Sequence, residues 1–210
     1  MPTIEQARTW YQTNDQVHDF DHVMRVFKVA ETLAELEGAN LEVVRAAALL
    51  HDAQSASGSE DSRLEHHEAA AVFAAEVLEK EGWPPERILA VQDCIRTHRF
   101  RAGQAPETLE AKVLFDADKL DAIGAIGVAR ALAFAVLDNQ PLFTEPSDAF
   151  RKTLKAQPGE AYTAYHEFLF KLSRIKDRMQ TQSGKTMAEG RHAFMQAFFE
   201  QLQVEVHGKK

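Results

Sequence analysis

Apolar residues recur along most of the chain at the three-to-four-residue spacing of amphipathic helices. The clearest run lies between Val23 and Ala34, and no stretch of useful length alternates with the two-residue period of a strand. Glycine and proline divide the pattern into segments, since Gly38 suits a helix C-terminus and Pro85 a first helical turn. The helices predicted in this way cover Ile4–Tyr11, a segment from about His22 to Gly38, Leu41 to about His51, a segment beginning at His66, a segment from Pro85 toward His98, Leu109–Val136, a segment from Tyr162 to Gln182, and a last helix after Gly184. We therefore expect one all-α domain that spans residues 1–210 as a helical bundle.

Composition and charge are those of an ordinary globular protein, and they limit the classes of partner that we expect. Of the 210 residues, 45% are hydrophobic and 27% charged, and the single cysteine, Cys94, allows no internal disulfide. The N-terminus lacks the basic and apolar regions of a secretory signal, and no apolar run reaches the ~20 residues that span a bilayer. We expect a cytoplasmic protein without a membrane partner. The net charge of −8 argues against binding a nucleic-acid polymer, and a phosphate-bearing substrate would need local cationic side chains.

The first candidate functional residues lie where an apolar helix is predicted to end. The run Ala46–Leu50 leads directly into His51 and Asp52. Buried polar side chains need partners, because leaving one unpaired costs about 4 kcal/mol or more on the water-to-cyclohexane transfer scale. A divalent cation is one partner that accepts imidazole nitrogen and carboxylate oxygen together, and a hydrogen-bonded capping pair is the other interpretation.

Further donors of the same kind lie on other predicted helices. His22 lies upstream of His51-Asp52, and Asp116 and Asp118 lie downstream. A helix bundle can bring such side chains inward to one point. Two imidazoles and two carboxylates suit a divalent ion such as Mn, Mg, Fe, Ni, Co or Zn, and nothing in the sequence selects among them.

This order of residues resembles the HD-domain metal-dependent phosphohydrolases, whose signature is a His, then His-Asp, then Asp. It resembles in particular a bacterial subgroup of predicted phosphohydrolases, the YedJ/YpgQ-like proteins, and the likeness runs over nearly the whole chain. The blocks that carry it are Ala46–Asp52, Glu110–Val113, Asp116–Gly127, and Met179–Lys185 with Arg191. The resemblance implies an HD-type bundle with its metal-site core at about 18–135 and C-terminal helices, 160–205, packed on that core.

The resemblance also implies a ligand set. It consists of His22, His51, Asp52 and Asp118, in which Asp118 is preferred over Asp116 because it directly precedes a basic residue. Asp116 is then expected to orient a ligand.

Catalytic and substrate roles follow as hypotheses. Asp52 is expected to ligate the cation and accept a proton from the attacking water, and His98 to act as an acid or a phosphate contact. In relatives with two metals, further histidine ligands lie between the His-Asp pair and the last Asp, and His66, His67 and His98 fall in that interval. A second metal, a phosphate contact and an ordinary helix-end histidine are the alternatives for these residues. Arg101 is better interpreted as a solvated surface charge. The side chains expected to hold the substrate phosphate are Arg25, Lys119, Arg99 and His67.

The implied activity is hydrolysis of a nucleotide or another small phosphate ester or anhydride by metal-activated hydroxide. It includes cleavage of a nucleoside triphosphate to the monophosphate and pyrophosphate. A phosphodiesterase or alarmone hydrolase of the same superfamily, and a non-catalytic helical module that binds metal or nucleotide, are the alternatives.

Overall fold

The computed structural model describes residues 1–11, 20–53, 62–99 and 105–209, with the side chains of 62–66 outside the description. Within these ranges all regular structure is helical, which confirms the all-α prediction. The α-helices are α1 (Ile4–Arg8), α2 (Phe20–Glu37), α3 (Leu41–Leu50), α4 (Ser62–Lys80), α5 (Pro85–Thr97), α6 (Leu109–Asp121), α7 (Gly124–Leu137), α8 (Asp148–Thr153), α9 (Ala164–Phe170) and α10 (Gln182–Val206), and one 3₁₀ helix covers Leu172–Arg178.

The described chain forms two compact units. The first comprises Met1–Asp118 and Gln180–Gly184, and the second comprises Lys119–Met179 and Lys185–Lys210. The expectation of one domain over 1–210, with C-terminal helices packed on a metal-site core, stays a prediction.

Helix α3 lies at the centre of the first unit. It packs against α2 and α5, and α5 packs in turn against α4. Asn40 caps its N-terminus by accepting a hydrogen bond from the Val43 amide at 3.3 Å. The side chains from Ala46 to Leu50 are all fully buried. Because three of these five are alanines, neighbouring helices can approach closely, and α3 carries its last residues into the apolar core.

The second unit has an aromatic core. Phe168 and Phe199 stack with ring centroids 4.7 Å apart, and Tyr165 packs 5.7 Å from Phe199. Helix α7 packs against α9 in this unit.

Several helix boundaries differ from the sequence prediction. The segment Leu109–Val136 is two helices, separated at Ala122 and Ile123, and Gly124 begins the second with φ +78°, a conformation that favours glycine. Helix α10 begins at Gln182, so Gly184 lies inside its first turn. Helix α4 begins at Ser62, earlier than His66.

The dipeptide His18-Asp19, which the sequence predicts to be a loop or cap element, lies outside the described residues. So do most of the Ser-rich segment 53–63, which is predicted to be an exposed loop, the side chain of His66, and Arg101. No single helix in the described ranges is both long and apolar enough to cross a membrane, and α6 and α7 meet that length and composition only when taken together.

Candidate metal centre

The C-terminal end of α3 orients His51. A helix leaves its last carbonyl groups without partners in the helix, and here other groups satisfy them. The His51 Nδ1 donates to the Ala48 carbonyl at 2.8 Å, and the Tyr11 hydroxyl donates to the Leu49 carbonyl at 2.8 Å. Because a carbonyl only accepts, the His51 hydrogen must be on Nδ1, and Nε2 of the neutral ring keeps its lone pair.

That lone pair lies in a buried site lined by polar groups. His51 is fully buried, and burial lowers its pKa to about 4, so the ring is neutral at pH 7. Its Nε2 atom has no hydrogen-bond partner within the described part of the chain. It lies 3.5 Å from Asp52 Oδ2. A nitrogen lone pair and a carboxylate oxygen both accept hydrogen bonds, so they repel each other unless a proton, a hydrogen-bond donor or a cation lies between them.

Two further helices bring donors to the same place. His22 lies in the first turn of α2, with Nε2 3.5 Å from Asp118 Oδ1 of α6 and 4.0 Å from Asp52 Oδ2. One ligand atom each of His22, His51 and Asp118 lie within 4.8 Å of one another. Metal–nitrogen and metal–oxygen bonds of roughly 2.0–2.2 Å place two ligands of one ion at most ~4.4 Å apart, so these atoms would need to approach one another by about 0.4 Å or less to share one ion.

The residues therefore fit a divalent cation. A mixed imidazole and carboxylate donor set suits a first-row transition metal such as Mn, Fe, Co, Ni or Zn, and Mg to a lesser degree. The buried Nε2 of His51 is the atom that most requires such a partner.

Asp52 is held from its other side by Arg99. The Arg99 Nη2 donates to Asp52 Oδ1 at 2.7 Å, and Arg99 Nε donates to His98 Nε2 at 3.2 Å. Burial on its own raises the pKa of the Asp52 carboxyl, but His51, His98 and Arg99 outweigh it and hold that pKa well below its usual range. Asp52 is thus ionised, with Oδ1 engaged by Arg99 and Oδ2 beside the two histidine nitrogens.

His98 repeats the arrangement found at His51. It follows the last residue of α5, and its Nδ1 donates to the Ile95 carbonyl at 2.5 Å. Its Nε2 lies 3.5 Å from Asp52 Oδ1. The rings of His51 and His98 meet edge to face with centroids 5.2 Å apart. Two helix ends therefore deliver imidazoles to Asp52 by the same backbone contact.

The other predicted site residues lie at varying distances from this cluster. His67, on α4, is half-buried, and burial followed by the charges of His98 and Arg99 lowers its pKa, so it lies within the electrostatic reach of the site. Arg25 is half-buried on α2, one helical turn after His22. Lys119 follows Asp118 in α6, is half-buried and belongs to the second unit.

Asp116 is engaged elsewhere. Its carboxylate is fully buried and accepts hydrogen bonds from the backbone amides of Gln180 and Thr181, each at 2.8 Å, and from the Thr181 hydroxyl at 2.7 Å. Burial raises its pKa in spite of these bonds. Of the two competing carboxylates, it is Asp118 that lies beside His22.

Sequence reasoning missed two contributors to this region. Tyr11 is buried, its hydroxyl binds the end of α3, and burial followed by the charge of Asp52 raises its pKa well above the usual value. Nothing in the local sequence separates this tyrosine from an ordinary core residue. The sequence also did not indicate the partners of Asp116, although they lie in Met179–Lys185, one of the blocks that carry the resemblance.

The fold and the site together define an all-α protein with a candidate metal site formed by His22, His51 and Asp118. The sequence model of the HD domain family matches residues 19–123, and a curated relative is 34% identical over 209 residues. The chain belongs to the HD domain family.

Two relatives are similar over nearly their whole length. The curated one is the uncharacterised protein YpgQ of Bacillus subtilis, covering 97% of this chain and 94% of its own. Its crystal structure in complex with ADP has a TM-score of 0.71 at 33% identity, over 96% of this chain and 94% of that one. An HD-superfamily hydrolase of Bacillus thuringiensis has a TM-score of 0.72 at 31% identity, over 97% and 96% of the two chains. Hydrolases are thus among its solved neighbours.

Proposed function

We propose that the chain is a metal-dependent phosphohydrolase that acts on a nucleotide, with cleavage of a nucleoside triphosphate to the monophosphate and pyrophosphate as the specific reaction. One observation carries the proposal: the neutral, fully buried His51 Nε2 lies 3.5 Å from the ionised Asp52 Oδ2, in a cluster completed by His22 and Asp118. The buried His51 Nε2 lone pair faces the Asp52 carboxylate, and two facing acceptors are costly to bury, so a divalent ion bound by both removes that cost.

The four metal ligands proposed are His22, His51, Asp52 and Asp118. The cation, when bound, would supply the acidity that turns water into a nucleophile at neutral pH and would neutralise charge on the phosphate. Asp52 is suited to ligation through Oδ2 because Arg99 already holds Oδ1. Its low pKa keeps it ionised, so we assign it as a ligand first and as a short-lived proton acceptor second.

His98 and Arg99 are proposed to meet the phosphate. Only two of the five N–H donors of Arg99 are used in its contacts with Asp52 and His98, and its side chain is 24% exposed. His98 Nε2 accepts a hydrogen bond from Arg99. When substrate replaces that bond, the same lone pair can accept a proton, or a hydrogen bond from a phosphate hydroxyl. His67, Arg25 and Lys119 are proposed as further phosphate contacts. The cations among these residues, Arg99, Arg25 and Lys119, offset the repulsion that a chain of net charge −8 exerts on an anionic substrate.

A nucleotide is the substrate class favoured by the relatives. YpgQ of Bacillus subtilis, 33% identical, was crystallised with ADP. A diphosphate nucleotide presents the same phosphoanhydride and base that a triphosphate does, so the proposal extends nucleotide binding to nucleotide hydrolysis.

The experiment is turnover by metal-stripped protein to which Mn²⁺, Mg²⁺, Co²⁺ or Ni²⁺ is added back. Phosphate and pyrophosphate release are measured over a panel of nucleoside triphosphates, nucleoside monophosphates, cyclic dinucleotides and guanosine polyphosphates. We expect pyrophosphate from triphosphates, and loss of turnover by at least ~100-fold in Asp52→Ala and Asp118→Ala, the scale on which catalytic groups act. Asp177→Ala, which removes a 67% exposed carboxylate, is the matched control and keeps wild-type turnover. If the protein binds metal but releases neither phosphate nor pyrophosphate from any substrate, the chain is a binding module and not an enzyme.

A further inference from the structure

A further carboxylate, that of Asp116, lies close to the metal site in the sequence but points away from it. Asp116 is fully buried in α6, two residues before Asp118. Side chains two residues apart leave a helix about 200° apart, so the two carboxylates serve opposite sides of α6. Asp118 lies beside His22, and Asp116 binds the segment Gln180–Gly184.

We propose that Asp116 is a positioning residue: by anchoring α6 to the segment Gln180–Gly184, it sets the helix rotation that places Asp118 at the metal site. This inference rests on the proposed metal site and adds to it a residue that contacts neither the cation nor the substrate.

Three hydrogen bonds make the anchor specific. Both Asp116 oxygens are used, Oδ1 by the Gln180 amide and Oδ2 by the Thr181 amide and hydroxyl. Thr181 also caps α10, because its Oγ1 accepts from the Gly184 amide at 3.0 Å. The carboxylate is therefore bound to the start of α10, where negative charge is favoured by the helix dipole.

Gly184 shows how close this approach is. A Cβ atom at Gly184 would lie 2.2 Å from Asp116 Oδ2 and 2.8 Å from Thr181 Oγ1. Both are well below contact distance, and neither neighbour is the free end of a flexible side chain. Only glycine permits the carboxylate to bind at this depth, so the first turn of α10 is built around Asp116.

A second carboxylate binds the same turn from the other ligand helix. Glu37, the last residue of α2, accepts from the Ser183 amide at 2.6 Å, and hydrogen bonding by Ser183 lowers its pKa. His22 lies at the opposite end of α2. The start of α10 thus joins α2 and α6, the helices that carry His22 and Asp118.

Small rotations of α6 matter because metal ligands tolerate little displacement. A carboxylate about 5–6 Å from a helix axis moves by ~1 Å when the helix turns by about 10°. Ligand distances in metal sites hold within about 0.2 Å. Release of Asp116 is therefore expected to weaken metal binding through the position of Asp118.

The test measures Mn²⁺ affinity by calorimetry and the visible spectrum of bound Co²⁺, alongside thermal unfolding of the metal-free protein. The variants are Asp116→Asn, Gly184→Ala and Thr181→Val, with Thr181→Ser as the conservative variant that keeps the hydroxyl. Leu78→Ala is the matched control, since it removes a fully buried side chain from α4, which carries no ligand.

We expect Asp116→Asn and Gly184→Ala to raise the Mn²⁺ dissociation constant at least tenfold and to change the Co²⁺ spectrum. Thr181→Val follows in the same direction, and Thr181→Ser retains wild-type values. Leu78→Ala unfolds at a lower temperature but keeps the wild-type affinity and spectrum.

The proposal is overturned if the variants unfold at a lower temperature while affinity and spectrum stay those of the wild type, because the anchor would then be structural only. Should Asp116→Asn not fold, the pair Thr181→Val and Thr181→Ser decides the same question. A wild-type protein that binds neither Mn²⁺ nor Co²⁺ would overturn the proposed function as well, and this outcome is distinguishable because it appears before any substitution is made.

Discussion

Replacing Arg99 by glutamine tests how the charge of Asp52 is balanced. Arg99 binds Asp52 Oδ1 at 2.7 Å and His98 Nε2 at 3.2 Å, and Asp52 is only 4% exposed. Arg99→Gln removes the cation and shortens the side chain. The metal-free protein is then left with an ionised, buried carboxylate whose charged hydrogen-bond donor is lost.

The expected cost is about 2 kcal/mol of unfolding free energy in the metal-free protein. Breaking a buried ion pair costs roughly 3–5 kcal/mol when the remaining charge is left without compensation. Arg99 is 24% exposed, so water replaces part of the lost interaction and the cost falls below that range.

The same substitution is expected to strengthen metal binding. With a divalent cation on Asp52, the carboxylate keeps a positive partner, and the loss falls to about 1 kcal/mol. The difference between the two states, ~1 kcal/mol, must appear as a metal dissociation constant roughly fivefold lower. Removal of a positive charge near the incoming cation acts in the same direction.

Urea unfolding of the metal-free protein and Mn²⁺ calorimetry measure the two sides of this balance. Arg96→Gln is the control, because Arg96 pairs with Glu68 at 2.7 Å on the protein surface, where the pair is worth less than about 1 kcal/mol. Weaker Mn²⁺ binding by Arg99→Gln, with metal-free stability unchanged, would refute the reasoning, since Arg99 would then not compensate for Asp52.

Three further outcomes are expected, each with its own measurement. Mn²⁺ at one hundred times its dissociation constant should stabilise the protein by ~2.7 kcal/mol and raise the thermal midpoint by roughly 5–10 °C, and His51→Ala should abolish this shift in calorimetric scans. Burial lowers the pKa of His51 from 6.5 to about 4. Between these two pH values the unfolded chain binds a proton at this residue and the folded chain does not. The metal-free protein should therefore lose up to ~3 kcal/mol as pH falls from 6.5 to 4, and urea unfolding of His51→Ala should lack that part of the loss. Tyr11→Phe leaves the Leu49 carbonyl without its donor and should cost roughly 1–3 kcal/mol in urea unfolding, whereas an unchanged midpoint would contradict the role given to the hydroxyl.

The fold class and the candidate donors were accessible from the sequence for different reasons. Helical periodicity, with Gly38 and Pro85 as punctuation, indicated the all-α architecture because those signals are local. The donors were accessible because the His, His-Asp, Asp order resembles a family, whereas spacing alone left a capping pair open for His51-Asp52.

What the sequence could not supply were the contacts between distant segments. Helix α10 was expected to begin after Gly184, since glycine disfavours helix interiors, yet a carboxylate from α6 occupies the space that a side chain would need. The same limit explains why the resemblance to a family, and not helical periodicity, favoured Asp118 over Asp116 as the ligand. It also explains why the bridge from Arg99 to Asp52, between residues 47 positions apart, was not foreseen.

The contact between His51 Nδ1 and the Ala48 carbonyl has a consequence for how this chain can change. The direction in which the imidazole points depends on the residue at which α3 ends, because a backbone carbonyl of that helix holds the ring. Inserting or deleting one residue in 41–50 would swing the ring by about 100° around the helix, even if every apolar position were refilled. Exchanges among small apolar residues leave that direction intact. Descendants of this sequence should therefore vary the composition of α3 more readily than its length.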